Sequence, residues 1–72
     1  MRETECFELK GNEFIELNKL LKFLGWVETG GEAKIRIDNG EVEVNGKTEY
    51  RKRCKLRAGD RVKYNDKEIW VE

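Results

Sequence analysis

The chain has 72 residues, so we expect one domain over residues 1–72 with a single small core and no second, catalytic domain. Its 15 basic and 15 acidic residues cancel, so bulk charge alone does not indicate a nucleic-acid partner. The sequence contains no histidine and no serine, and the usual pairs of nucleophile and general base cannot be assembled. We therefore predict a binding module that needs no cofactor, rather than an enzyme.

The charges are unevenly distributed along the chain. Residues 1–46 carry six basic and ten acidic side chains, whereas residues 47–72 carry nine basic and five acidic ones. Within residues 47–63 there are eight basic and two acidic side chains. Such a block forms a basic patch on the surface if the fold keeps its residues together.

The first predicted elements are a strand and a helix. Residues 6–10 alternate polar and apolar side chains, which predicts a short strand at the edge of a sheet. Apolar residues then recur at spacings of three and four, which predicts a first helix over about residues 13–24. Asn12 is the expected N-cap, and Gly25 the expected C-terminal cap. The apolar stripe consists of Phe14, Leu17, Leu20, Leu21 and Leu24.

A second helix is predicted to begin at Gly30. Thr29 and Glu32 have the spacing of a capping box, and Gly40 can take the left-handed conformation that ends a helix. The residues between these caps also alternate with period two, as a strand would, but the caps and the normal helix length between them favour a helix. We expect Ile35 to pack against the first helix or the N-terminal strand.

Two β-hairpins are predicted after the second helix. Residues 42–44 alternate, and Asn45-Gly46 is the strongest short signal for a two-residue turn. Leu56 should anchor the loop that follows, and residues 61–64 and 68–71 should form the second hairpin. The predicted fold is α+β, with two helices packed on a small twisted antiparallel sheet of four or five strands. The expected inner positions of the second hairpin are Val62, Tyr64, Ile69 and Val71.

This order of elements resembles the S4-like RNA-binding domain, whose helix-plus-hairpin core is called the αL motif. The resemblance spans about residues 15–71, and its most specific parts are the Gly-x-Val-x-Val-Asn-Gly pattern at residues 40–46 and the Gly59-Asp60 pair. The family commonly has Ser-Arg where Thr29-Gly30 stand, so a frequent RNA-contacting arginine is absent. The basic residues after the hairpin are instead similar to the small stand-alone bacterial branch of the family.

The resemblance implies that the chain binds structured RNA, either ribosomal or transfer RNA, as a cytoplasmic and ribosome-associated protein. We expect it to act as a monomer. The main alternative is a protein-interaction adaptor that docks complementary charged protein surfaces without contacting RNA. Without a segment approaching 18 apolar residues, no membrane contact is expected.

The candidate RNA-binding residues form two groups. At the start of the second helix, the amides of Gly30 and Gly31 can receive a phosphate oxygen, although close helix packing would equally explain two glycines. The second group centres on the basic segment, defined as residues 51–57, where an extended backbone sends successive side chains to opposite sides. A solvated loop is the alternative for that segment. The predicted contact residues are Thr29, Gly30, Gly31, Lys34, Arg36, Lys47, Arg51, Lys52, Arg53 and Lys55.

Four further residues are assigned on weaker signals. Trp26 is predicted to belong to the core, with a stacking platform for an unpaired base as the alternative. For Tyr50 a core role and a stacking role are equally compatible with the sequence. Cys6 and Cys54 have no metal-binding spacing, and no histidine exists to complete a site. We expect two reduced thiols, although the sequence also permits a disulfide between them.

Overall fold

The computed structural model describes residues 3–72, and its architecture is α+β, as predicted. The elements are β1 (Glu3–Phe7), β2 (Ile15–Glu16), α1 (Leu17–Phe23), α2 (Gly30–Asp38), β3 (Val42–Val44), β4 (Lys47–Thr48), β5 (Lys55–Leu56), β6 (Arg61–Tyr64) and β7 (Lys67–Val71). Five strands form one sheet in the order β1-β7-β6-β3-β4, and β2 and β5 form a separate pair. The main sheet is mixed rather than wholly antiparallel, because β1 runs parallel to β7.

The second helix, α2, begins at Gly30 as predicted. The hydroxyl oxygen of Thr29 accepts a hydrogen bond from the N–H of Glu32 at 3.0 Å. The Glu32 carboxylate accepts from the N–H of Glu28 at 2.8 Å, one residue earlier than a standard capping box requires. At the other end Gly40 has a φ of 77°, so the left-handed residue that ends the helix is also confirmed.

The first helix, α1, is shorter than predicted. It begins at Leu17 because the two residues before it are drawn into the pair of strands β2 and β5. Asn12 is not its N-cap, since the Asn12 amide donates to the carbonyl of Leu9 at 2.8 Å and lies outside the helix. Gly25 ends the helix with a φ of 76°, as predicted.

The core lies between the two helices and one face of the sheet. All four predicted inner positions of the second hairpin are buried, and so is the loop anchor Leu56. The expectation for Ile35 is wrong, because its side chain is 57% exposed. Ala33 and Ile37 lie on the buried face of α2, and Ile35, halfway between them, points away from that face. The core residues are Leu9, Leu17, Leu20, Leu21, Val27, Ala33, Ile37, Val42, Leu56, Val62, Tyr64, Ile69 and Val71.

Trp26 contributes to the core, as predicted. Its ring stacks on Tyr64 with the centroids 6.1 Å apart, and it packs against the buried cluster. Cys6 is exposed on β1 and Cys54 is half-buried, and both are free thiols. Within residues 3–72, no helix combines the length and the apolar character needed to cross a membrane.

Candidate nucleic-acid interface

The basic segment follows the first hairpin and is fixed to the core at its far end. After β4 the chain turns at Lys52 and Arg53, and the N–H of Cys54 donates to the carbonyl of Arg51 at 3.1 Å. The chain then enters β5, where Leu56 is fully buried. The segment is therefore a short ordered turn with exposed basic side chains, rather than a solvated loop without structure.

The backbone of the basic segment caps α1. The carbonyls of Cys54 and Lys52 accept hydrogen bonds from the N–H groups of Leu17 and Asn18, both at 2.9 Å. The first amides of a helix have no acceptor inside the helix, and Glu16, at the N-cap position, makes no side-chain capping bond. The basic segment supplies the missing acceptors and is thereby held against the N-terminus of α1.

Four cations of the basic segment point into solvent without an ion pair to any described residue, namely Lys52, Arg53, Lys55 and Arg57. Half-buried Phe14 lies beneath two of them: the ammonium of Lys55 is 4.9 Å from the ring centroid, and the guanidinium of Arg57 is 5.6 Å from it. Such cation–π contacts orient both side chains without neutralising them. Arg57 was omitted from the predicted contact residues, although it ends the same run of basic residues uninterrupted by an acidic one.

Arg51 is held differently, because Glu49 engages its guanidinium. The Nε and Nη2 atoms of Arg51 donate to the two carboxylate oxygens at 2.9 and 3.2 Å, and the Arg51 N–H donates at 2.9 Å. These hydrogen bonds lower the pKa of Glu49 to about 2. The two residues stand two apart in an extended stretch, which puts their side chains on the same side, so the sequence carried this signal.

The two cations predicted on α2 are also paired. Lys34 lies 3.7 Å from the carboxylate of Asp38, and Arg36 lies 3.6 Å from Glu32 and 3.4 Å from Glu41. The hydrogen bond to Glu41 raises the pKa of Arg36 further. The Lys34 pair is exposed and the Arg36 pairs are half-buried, and ion pairs at the surface contribute about 0–1 kcal/mol, so a phosphate competes most easily for Lys34.

The start of α2 is open to solvent. A Cβ added at Gly30 would meet no atom within 4 Å, and one added at Gly31 would meet only the Thr29 hydroxyl at 3.8 Å. Close helix packing, the alternative explanation for these glycines, therefore does not apply. The Glu32 carboxylate, which accepts from the N–H of Glu28, lies at the same helix start, so a phosphate bound there would have this carboxylate as a neighbour.

Tyr50 lies at the opposite end of α2 from the glycines at the start of that helix. Tyr50, which precedes the basic segment, has its hydroxyl 3.3 Å from where a Cβ of Gly40 would stand, at the C-terminal end of α2. Gly30 and Gly31 lie at the N-terminal end of that helix, about 12 Å away along its axis. Tyr50 is 63% exposed, so no core role applies to it. Lys47 is exposed directly after the Asn45-Gly46 turn.

The two specific sequence patterns meet in space through Asn45. Its side-chain amide donates to the carboxylate of Asp60 at 3.0 Å, and its side-chain oxygen accepts from the N–H of Arg61 at 2.9 Å. Asp60 also accepts from the N–H of Arg57 at 2.7 Å. These residues fix the first hairpin against β6 and the end of the basic segment, so the geometry gives them a structural role.

The capped helix α2, the tight hairpin after it and the basic segment held against α1 define a small helix-plus-hairpin binding domain. A family model described as the S4 domain matches residues 7–72. The chain belongs to the S4 domain family. Membership in this family makes it a binding domain and not an enzyme.

Relatives from two bacteria match nearly the whole chain. YbcJ of Escherichia coli (strain K12), named as a candidate RNA-binding protein, is 45% identical over 65 residues, which cover 90% of this chain and 93% of YbcJ. YbcJ of Shigella flexneri matches over the same length with the same identity. The solution structure of E. coli YbcJ reveals an αL motif involved in RNA binding. It superposes with a TM-score of 0.72 at 42% identity and covers 99% of this chain and 90% of that one.

Proposed function

We propose that this protein binds structured RNA through the basic segment, mainly by phosphate contacts. The observation that carries the proposal is the set of four exposed cations without an ion pair to a described residue, on a backbone clamped to α1. Phosphate contacts supply most of the sequence-independent affinity of nucleic-acid-binding proteins. The RNA-binding αL motif of the YbcJ structure supports the same function.

The proposed partner is ribosomal or transfer RNA, bound by a monomer in the cytoplasm in association with the ribosome. Backbone contacts recognise shape, so helical or bulged RNA should bind better than unstructured RNA. Lys47, Lys52, Arg53 and Lys55 of the predicted set, with Arg57 added, form the primary surface. Arg51, Lys34 and Arg36 contribute where phosphate displaces their carboxylate partners, and the Thr29, Gly30 and Gly31 region supplies one further phosphate site.

The proposal is tested with a double variant, Lys52→Ala with Arg53→Ala, and a matched control, Lys22→Ala with Lys67→Ala. All four residues are exposed, and each pair of substitutions removes two positive charges. Binding of a bulged RNA hairpin is measured at several salt concentrations. We expect the first double variant to bind more weakly, with a log-log salt slope less steep by about two, since two phosphate contacts are lost. The control should behave as wild type.

If the folded Lys52/Arg53 variant binds with unchanged affinity and salt slope, the proposed surface is wrong and the protein-adaptor function gains. Equal weakening in both double variants would show that overall charge, rather than this surface, governs binding. Crosslinking in cells followed by sequencing of the bound RNA distinguishes ribosomal from transfer RNA.

A further inference from the structure

A groove opens at the C-terminal end of α1, between this helix and β1. Its volume is about 600 Å³, and its apolar lining includes Phe7, Phe23, Leu24 and Ile69. The rings of Phe7 and Phe23 meet edge to face, with centroids 5.2 Å apart. Phe23 is nevertheless 73% exposed, so a partner that covers it removes a large apolar area from water.

The backbone of β1 beside this groove is available for pairing. The backbone groups of Phe7 and Leu9 face the end of β7. The N–H of Glu72 donates to the carbonyl of Phe7 at 2.8 Å, and the N–H of Leu9 donates to the carbonyl of Glu72 at 2.9 Å. Backbone groups of successive strand residues alternate between the two edges, so those of Cys6 and Glu8 face away from β7. Since β1 is the outermost strand on this side of the sheet, these groups can accept an added strand.

The groove carries negative charge. Glu5 and Glu8 line it, and Lys10 is the basic residue among its described lining residues. The carboxylate of Glu72 lies beside Cys6 and accepts a hydrogen bond from its exposed thiol. A positively charged segment therefore complements the groove.

The groove and the basic segment lie at opposite ends of α1. The basic segment caps the N-terminus of this helix, whereas Phe23 is its last residue. A helix of seven residues is about 10 Å long, so the two surfaces are separate and of opposite charge. An occupant of one need not displace an occupant of the other.

We propose that the groove binds an extended, positively charged polypeptide segment of a partner protein. The segment adds as a strand to the open edge of β1, where its side chains alternate between the two faces of the sheet. One large apolar side chain inserts beside Phe23, and basic side chains meet Glu8 on the opposite face. Main-chain hydrogen bonds supply affinity in this mode of recognition, and the pocket for the apolar side chain supplies specificity. The protein would thus hold RNA at one end and a protein at the other.

The proposal is tested by titrating the ¹⁵N-labelled protein with a peptide that alternates lysine and valine around a central phenylalanine. A second peptide carries glutamate in place of each lysine. We expect the basic peptide to shift the amide signals of Cys6 and Glu8 and the ring signals of Phe23, and the acidic peptide to leave them unchanged. Shifts confined to other surfaces, no shifts, or equal shifts with both peptides would overturn the proposal.

Two single variants locate the site. Phe23→Ala should weaken binding of the basic peptide about tenfold or more, because a buried aromatic anchor dominates such interfaces. The matched control is Ile35→Ala, which removes another exposed apolar side chain, on α2, and should bind as wild type. Thermal unfolding of both variants verifies that they fold. The Phe23 pocket would be refuted if the two variants bound the peptide with the same affinity, whether both bound as wild type or both were weakened.

The separation of the two ends is tested with RNA present. Phe23→Ala should bind a bulged RNA hairpin within about twofold of wild type, because the two surfaces do not overlap. Clearly weaker RNA binding by this folded variant would contradict the assignment of the groove to a protein partner alongside RNA.

Discussion

At the scale of single residues, Glu49 sets how much charge the basic segment presents. Its carboxylate forms a two-point contact with Arg51, which leaves the remaining cations of the segment to act without a fixed counter-charge among the described residues. Arg51 is thus both a candidate phosphate ligand and a brace between the hairpin exit and the turn that follows. The contribution of the Arg51–Glu49 ion pair to the stability of the fold can be measured without any RNA.

Replacing Glu49 tests this ion pair through the pH dependence of the free energy of unfolding. The pKa of Glu49 is lowered from 4.5 to about 2, so its stabilising effect is fully present above about pH 4.5 and is lost as the pH falls toward 2. Glu49→Gln should therefore lower the free energy of unfolding at pH 6 by about 0.2–1 kcal/mol, the usual range of an ion pair at the protein surface. The difference from wild type should be clearly smaller at pH 2.5 and should be lost only below about pH 2.

Thermal unfolding at the two pH values measures this effect, with Glu13→Gln as the control. Glu13 is exposed and makes no ion pair with another described residue, so its replacement should be close to neutral at both. A constant difference between Glu49→Gln and wild type from pH 6 to pH 2.5 would show that the ion pair is not the cause.

At the scale of elements, local signals predicted local structure well. The cap of α2, its glycine terminus and the turn after β3 depend on neighbouring residues, and all three are confirmed. The start of α1 was misplaced because Ile15 and Glu16 pair with residues about forty positions away. The parallel direction of β1 likewise depends on β7, at the other end of the chain, and no local pattern encodes it.

In the candidate site, too, local features were predictable and contacts between side chains were not. The position of the basic segment and the start of α2 at Gly30 followed from the sequence, as did the patterns at residues 40–46 and 59–60. The ion pair between Arg51 and Glu49 was not predicted, although the spacing of the two residues indicated it. The contact of Phe14 with two cations was not predicted either, because α1 begins after Phe14 and its side chain is not part of the apolar stripe of that helix.

The turn between β3 and β4 gives a test at this scale. Asn45 and Gly46 have φ values of 54° and 84°, as a type I′ turn requires. A Cβ at Gly46 would make only an ordinary contact, 3.7 Å from a guanidinium nitrogen of Arg61, so the cost of a side chain there is backbone strain. Gly46→Val should destabilise the protein by about 1–3 kcal/mol.

The matched control is Gly46→Asn, since asparagine tolerates the left-handed conformation. It should cost clearly less than valine at the same position. Thermal unfolding measures both, and each kcal/mol corresponds to a shift of about 4–8 °C for a domain of this size. Equal melting temperatures for the two variants would argue against strain at this turn.

At the scale of the whole molecule, the zero net charge conceals two surfaces of opposite sign. The groove beside β1 is acidic, and the basic segment lies at the other end of α1. Affinity for RNA should therefore depend on local rather than total charge.

The salt dependence of RNA binding tests this point. If about four to six phosphates are contacted, the slope of log K against log salt should be about −3 to −5 in spite of the zero net charge. Fluorescence anisotropy with a bulged RNA hairpin from 50 to 300 mM salt would measure it. A slope near zero would mean that phosphate contacts do not drive binding.

The cap that the basic segment provides for α1 affects the entropy of recognition. Basic loops that are disordered before binding lose conformational freedom when they engage RNA, and that loss weakens the complex. Here the carbonyls of Lys52 and Cys54 are already committed to helix amides, so the backbone of the segment is ordered by folding. Its rearrangement would leave two helix donors without acceptors, at about 1 kcal/mol each. The segment should therefore meet its ligand as a rigid, preorganised surface that selects RNA shapes fitting it rather than moulding itself to many.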